Sequence, residues 1–280
     1  MNFKQITSLS VLAAAAMLAA APAHAAIAVT NDAFSYSQTF DGLANVTSAS
    51  AVAWSNDSTL VGWSLFNKDK AVVATYLADA GASNAGSFRS FGVSADSDRA
   101  FGGVASGGAY FGSPAAGTSA GWIAVAFTNT TAGDFAGFKI GFDGEQWRNG
   151  GNTAAPNNVA QSMDMEYGFG ASFADVTTWT APGAGFNFVS PIFTGAAAAV
   201  DGNAAGKVVG LGGDVNTAWA SNDTLWVRWI EKNDAGNDHG LAIDNVSLTV
   251  MTTAVPEPST YALLLAGLCA VGFVARRRQS

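Results

Sequence analysis

The chain has 280 residues, of which 49% are apolar and only 12% charged, with 32 glycines, 8 tryptophans and 18 phenylalanines. Soluble domains average roughly 25% charge, and so much glycine favours short strands and turns over helices, which glycine destabilises. With Lys4, Arg276, Arg277, Arg278 and Glu257 of the end segments set aside, 9 basic and 20 acidic residues remain, a net of −11. So acidic a surface repels phosphate backbones and argues against nucleic acid as a partner.

Residues 1–26 have the order of a signal peptide. Lys4 provides a positive start, Val11 to Ala21 an apolar stretch, and Ala23-His24-Ala25 a small-x-small cleavage site. The alternative is an N-terminal anchor, but the apolar run is shorter than the roughly 20 residues a span needs. Cleavage is expected after Ala25 or Ala26.

Residues 27–250 are expected to form one all-β domain. Short runs with apolar alternation are separated by Gly, Asn, Asp and Ser. They are residues 35–40, 60–66, 71–77, 99–104, 122–128, 136–142, 161–169, 186–188, 207–211, 224–231 and 241–250. The clearest two-residue periods are Trp122 to Phe127 and Leu225 to Ile230. Asp41-Gly42, Asp143-Gly144 and Asp201-Gly202 read as turns. Ten to twelve short strands without a fixed-period repeat predict an antiparallel β-sandwich, jelly-roll-like, with a barrel as the alternative.

Few groups in this domain carry obvious chemistry. The single cysteine, Cys269, lies in the C-terminal apolar run, and His239 is the only histidine after His24. That excludes disulfides, a thiol nucleophile and a Cys/His zinc cluster in the domain. His239 reads as a hydrogen-bonded loop residue, because no nucleophile and orienting acid accompany it. Glu145 and Glu166 are carboxylates that a glycosidase pair would require, though their context does not mark them as one. Asp234, Asn237, Asp238 and Asp244, with Asp41, offer hard oxygen ligands, and calcium is the one cofactor this pattern suggests. The competing account is that they are turn-formers and caps. Glu145, Trp147 and Arg148 could stack on a sugar and bond its hydroxyls, or equally pack inward and pair with other residues. Arg228, between Trp226 and Trp229, is expected to face away from both and to meet Glu145.

Residues 251–259 form a linker ending in Val255-Pro256-Glu257-Pro258, stiffened by its two prolines. Residues 260–278 follow as an apolar helix closed by Arg276, Arg277 and Arg278, which suit the cytoplasmic side of a membrane. The order Pro-Glu-Pro, apolar transmembrane helix, basic cluster resembles the PEP-CTERM sorting signal, also labelled an ice-binding-protein C-terminal motif. The resemblance implies recognition by a membrane-embedded exosortase, cleavage near Pro-Glu-Pro, and a Gram-negative host that makes exopolysaccharide. It implies an inner-membrane stage followed by release to the cell surface or extracellular matrix.

Phe40-Asp41-Gly42-Leu43, Gly144-Glu145-Gln146-Trp147-Arg148-Asn149-Gly150, Leu225-Trp226-Val227-Arg228-Trp229 and the run from Asn233 to Asn245 are similar to one group of PEP-CTERM proteins with exported β-sandwich domains. That likeness bears on fold and location. The expectation is therefore a non-enzymatic surface or matrix protein associated with exopolysaccharide. A calcium-stabilised carbohydrate-binding module is the alternative, and a secreted hydrolase is the least favoured.

Overall fold

The computed structural model describes residues 26–45, 48–151, 159–252 and 258–277. Residues 1–25 of the expected signal peptide, Val255, Pro256 and Glu257 of the sorting motif, and Arg278 lie outside them. The strands are β1 (Ile27–Val29), β2 (Ser35–Gln38), β3 (Ser48–Ala53), β4 (Trp63–Asn67), β5 (Thr75–Asp79), β6 (Ser87–Phe91), β7 (Ala100–Val104), β8 (Thr118–Asn129), β9 (Phe135–Asn149), β10 (Ser162–Phe169), β11 (Asn187–Val189), β12 (Ala198–Ala199), β13 (Lys207–Trp219), β14 (Thr224–Asn233) and β15 (Gly240–Met251). One α-helix, α1 (Pro258–Arg277), follows them.

Two sheets of unequal size result. The smaller runs β1-β8-β14-β10-β11, with β4 sharing the outer edge of β8 with β1. The larger runs β12-β9-β15-β7-β6-β5-β3, with β13 also on β9 and β2 also on β15. Both sheets feed one apolar core. Ile123, Val125, Met165, Val227 and Trp229 of the smaller sheet lie in the same cluster as Phe101, Phe138, Ile140, Ile243 and Leu248 of the larger. Aromatic rings bridge them, with Phe142 5.5 Å from Trp229 and Phe138 5.4 Å from Tyr167. Edge-to-face pairs of this kind add about 0.5–1.5 kcal/mol each beyond their buried area. The chain is mostly β, as its composition predicts, and two sheets around a shared core fit a sandwich.

Alternation sorts the strongest strands correctly. On β14, Leu225, Val227 and Trp229 point to the main core. Trp226 and Ile230 point outward, into a second cluster with Phe66, Trp122, Ala124, Ala126, Phe173 and Val176. The chain around Phe173 to Trp179 thus covers the outer face of the smaller sheet. Buried on both faces, β8 reads as a nearly unbroken apolar run.

Three expectations need correction. The strands are not uniformly antiparallel: β1–β8 and β5–β6 are parallel. Fifteen strands form among the described residues, because short Ser/Ala-rich pieces such as β3 pair as well as the apolar ones. Asp143-Gly144 is strand interior, not a turn, since a Cβ on Gly144 would lie 2.2 Å from the Phe188 ring, which fills the space above it. Gly144→Ala should therefore cost about 1–3 kcal/mol by overpacking, visible as a lower melting temperature; an unchanged melt would show that Phe188 does not hold this position.

The tail forms the helix α1, and among the described residues no helix is long and apolar enough to cross a membrane. Pro258, Ser259 and Thr260 at one end and Arg276 and Arg277 at the other occupy part of its 20 residues. The apolar centre is left short of the roughly 20 residues a span requires.

Candidate functional site

Antiparallel pairing of β9 with β15 brings the two polar sequence segments side by side. Gly240 lies opposite Arg148, Leu241 opposite Gln146 and Ala242 opposite Glu145. Three settings of different character result.

The first is structural lacing. The Gln146 amide donates to the Ile192 carbonyl at 2.7 Å and accepts from the Ile192 N–H at 2.9 Å. The Asn149 amide reaches the Thr194 and Ala196 carbonyls at 3.1 and 2.6 Å. Together they fasten the chain from Ile192 to Ala196 along β9. His239 packs behind them, its Nδ1 3.2 Å from the Gln146 amide nitrogen and its N–H donated to Gln161. Burial lowers its pKa to about 4, so the ring is neutral at pH 7.

The second is an ion cluster. The Lys207 ammonium lies 2.9 Å from Glu145, 3.7 Å from Asp143 and 4.0 Å from Asp244. Burial works against the lysine charge, yet these carboxylates hold its pKa above the ordinary value. Burial raises Glu145, and it pushes Asp244 to about 7. The Trp147 indole donates to Glu145 at 2.9 Å and stacks on Phe91 with ring centroids 6.2 Å apart. Trp147 is 2% exposed, so it has no open face for a sugar, which corrects its expected stacking role.

Of the expected calcium ligands only Asp244 belongs to this cluster. Asp41 accepts from Thr39 and from the Arg99 N–H, and Asp244 lies across from Asp143 on β9. Asp234, Asn237 and Asp238 lie in the β14–β15 loop, beyond the other end of the Gly240–Asp244 stretch. Among the described residues no group of three or more His, Cys, Asp or Glu is placed to hold a metal ion. Lys207 stands where a cation would sit among Asp143, Glu145 and Asp244. Its role was hidden in sequence because it approaches β9 from β13, more than sixty positions away.

The third setting is an open polar cleft of ≈ 590 Å³. Asn84, Ser106, Arg148, Asn233, Asn237 and Asp238 line it. Arg148 is 8% exposed and donates from Nη1 to the Gly81 and Ala82 carbonyls, both at 3.0 Å. Gly81 has to be glycine: its φ is +84°, and a Cβ would lie 1.8 Å from the Trp147 carbonyl oxygen. Asn237 is fixed by donation to the Gly151 carbonyl at 2.6 Å, and Asn233 by donation to Pro114 at 2.9 Å. Asp238 accepts the Asp234 N–H at 2.7 Å, and burial raises its pKa to about 7. Of these residues, Arg148, Asn237 and Asp238 were legible as candidates. Asn84 and Ser106 were not, since they come from the β5–β6 and β7–β8 connections and carry no motif.

Arg228 meets Glu166, its direct neighbour on β10, and not Glu145: Nε and Nη2 reach Oε2 at 2.9 and 2.5 Å. Two positions from Trp226, it shares that residue's outward face, where its guanidinium lies 3.8 Å from the Trp179 ring centre. Glu145 and Glu166 thus belong to different sheets, each engaged by its own cation.

The family comparison bears on the far end of the chain. Residues 254–278 match the PEP-CTERM protein-sorting motif. This motif marks the chain as an exported, exosortase-targeted protein of a Gram-negative bacterium with a transient membrane stage. No curated protein and no solved structure matches the chain.

Proposed function

We propose that the chain is a non-enzymatic surface or matrix protein, delivered by its tail and held in exopolysaccharide by its β domain. The observation that carries this reading is the PEP-CTERM match at residues 254–278, attached to a domain with a polar cleft. Amides, a hydroxyl and a guanidinium are the groups that bond sugar hydroxyls, and here Arg148, Asn233 and Asn237 are pre-positioned by bonds to backbone carbonyls. In this reading residues 1–26 direct export and are removed. The 260–278 segment holds the chain at the inner membrane until the exosortase cuts near Pro256-Glu257-Pro258.

The test is made in the producing cell. Replacing Arg276, Arg277 and Arg278 by serine should stop processing, so that the uncut chain accumulates and the cell-surface fraction empties. Normal surface levels of the triple variant would overturn the delivery reading. Separately, the exported protein should be retained on the cell's own polysaccharide, and passage without retardation would remove the polysaccharide association.

A further inference from the structure

Arg148 is buried, yet among the described residues no carboxylate lies within ion-pair distance of it. Its Nη1 is spent on two carbonyls, and its Nε is buried without any partner. Asp79, two residues before the Gly81 carbonyl that Arg148 bonds, is already taken: it pairs with the fully buried Arg89 and also accepts the Ala82 and Ser83 N–H groups. Arg148 is close enough to Arg89 to disfavour the charge on it. Two guanidiniums thus stand near one carboxylate, in a domain whose net charge is −11. Residues 152–158, next along the chain, read Asn-Thr-Ala-Ala-Pro-Asn-Asn and bring no acid. A buried charge without a counter-ion costs several kcal/mol unless something compensates it.

We propose that the cleft takes the carboxylate of an acidic sugar, with Arg148 as its counter-charge. This rests on the polysaccharide reading above and names the sugar class. The remaining lining, Asn84, Ser106, Asn233 and Asn237, suits ring hydroxyls, whereas a bare inorganic anion would leave those groups unused. Among the described residues Asp238 makes no ion pair with Arg148. Burial raises its carboxyl to about 7, and an incoming carboxylate favours the protonated form, which donates a hydrogen bond.

The experiment measures binding of free glucuronate, glucose and inorganic phosphate to the full chain in mild detergent, by equilibrium dialysis at low salt. Glucuronate should bind at least about tenfold more tightly than glucose, the size of one charge-assisted bond, and more tightly than phosphate. Ser106→Ala and Asn84→Ala, at the rim and harmless to the fold, should each weaken glucuronate several-fold. Arg148→Met should abolish the preference over glucose, whereas Arg148→Lys, which keeps the charge, should retain part of it. If Arg148→Met fails to fold, the rim variants and the three-ligand comparison still decide. Equal binding of glucose and glucuronate overturns the acidic-sugar inference and leaves the polysaccharide reading standing. Phosphate binding as tightly as glucuronate reduces the cleft to an anion site and overturns it too. Binding of none of the three overturns it as well, and retention on the cell's own polysaccharide then shows whether the broader reading survives.

Discussion

Trp147→Ala should destabilise the domain by about 3–5 kcal/mol, lowering the melting temperature by roughly 10 °C for a domain of this size. The indole is stacked on Phe91 and packed with Ala100, Val104 and Ala242, so truncation leaves a cavity that these rigid strand residues cannot close. It also removes the donor that satisfies Glu145, whose carboxyl is already disfavoured as an anion by burial. Trp147→Phe should recover the stacking and lose only the hydrogen bond, at about 1–3 kcal/mol. A thermal melt distinguishes this from a sugar platform, whose truncation lowers binding and leaves the melt alone. A melt within 1–2 °C of the parent would show that Trp147 is not part of the core.

The second large effect is on pH. Asp238 and Asp244 have pKa values of about 7, far above the usual aspartate value, chiefly through burial. The folded state keeps these protons while the unfolded chain releases them. Their contribution is fully present below pH 4 and lost as pH rises through 7. His239 acts in the opposite sense. Its folded value of about 4 lies below the ordinary 6.5, so it withdraws stability as pH falls from 6.5 to 4. From pH 5.5 to 8 each aspartate changes the balance by about 2 kcal/mol and the histidine by about 1 the other way. The Asp238 share is reduced by its partial exposure. The protein should therefore melt about 5 °C higher at pH 5.5 than at pH 8, and Asp238→Asn with Asp244→Asn should reduce the slope, the remainder coming from Glu145, Asp234 and Glu231, whose carboxyls burial also raises. A parent melt that rises toward pH 8 would contradict the burial of these carboxyls.

What the sequence disclosed and what it hid follow from range of interaction. Trp122–Phe127 and Leu225–Ile230 alternate strongly enough to be read as strands, and they pair with each other on β8 and β14. The Pro-Glu-Pro tail is a local pattern and needs no fold to be seen. Asp143-Gly144 has the local form of a turn, but Phe188 decides its conformation from forty-four positions away. The Arg228 partner depended on counting faces correctly: residues two apart on a strand share a face, which places Arg228 with Trp226 and opposite Glu166. The role of Lys207 was not legible because its three carboxylate neighbours come from β9 and β15. The cleft is the least legible feature, its polar side chains drawn from three connections and the ends of β9 and β14 with no common spacing.

One property of the topology bears on how such a chain crosses a membrane. The last strand, β15, is interior to the larger sheet: β9 lies on one side, and β7 and β2 on the other. A chain emerging from its N-terminus has no partner for these edges until Met251 has come through, and non-local strand pairing is slow even then. The larger sheet therefore cannot be completed before β15 is available. Only a few residues separate the end of β15 from the sorting motif at 254–278, so the strand that joins the two halves of the sheet and the segment that carries the sorting signal are neighbours in the chain.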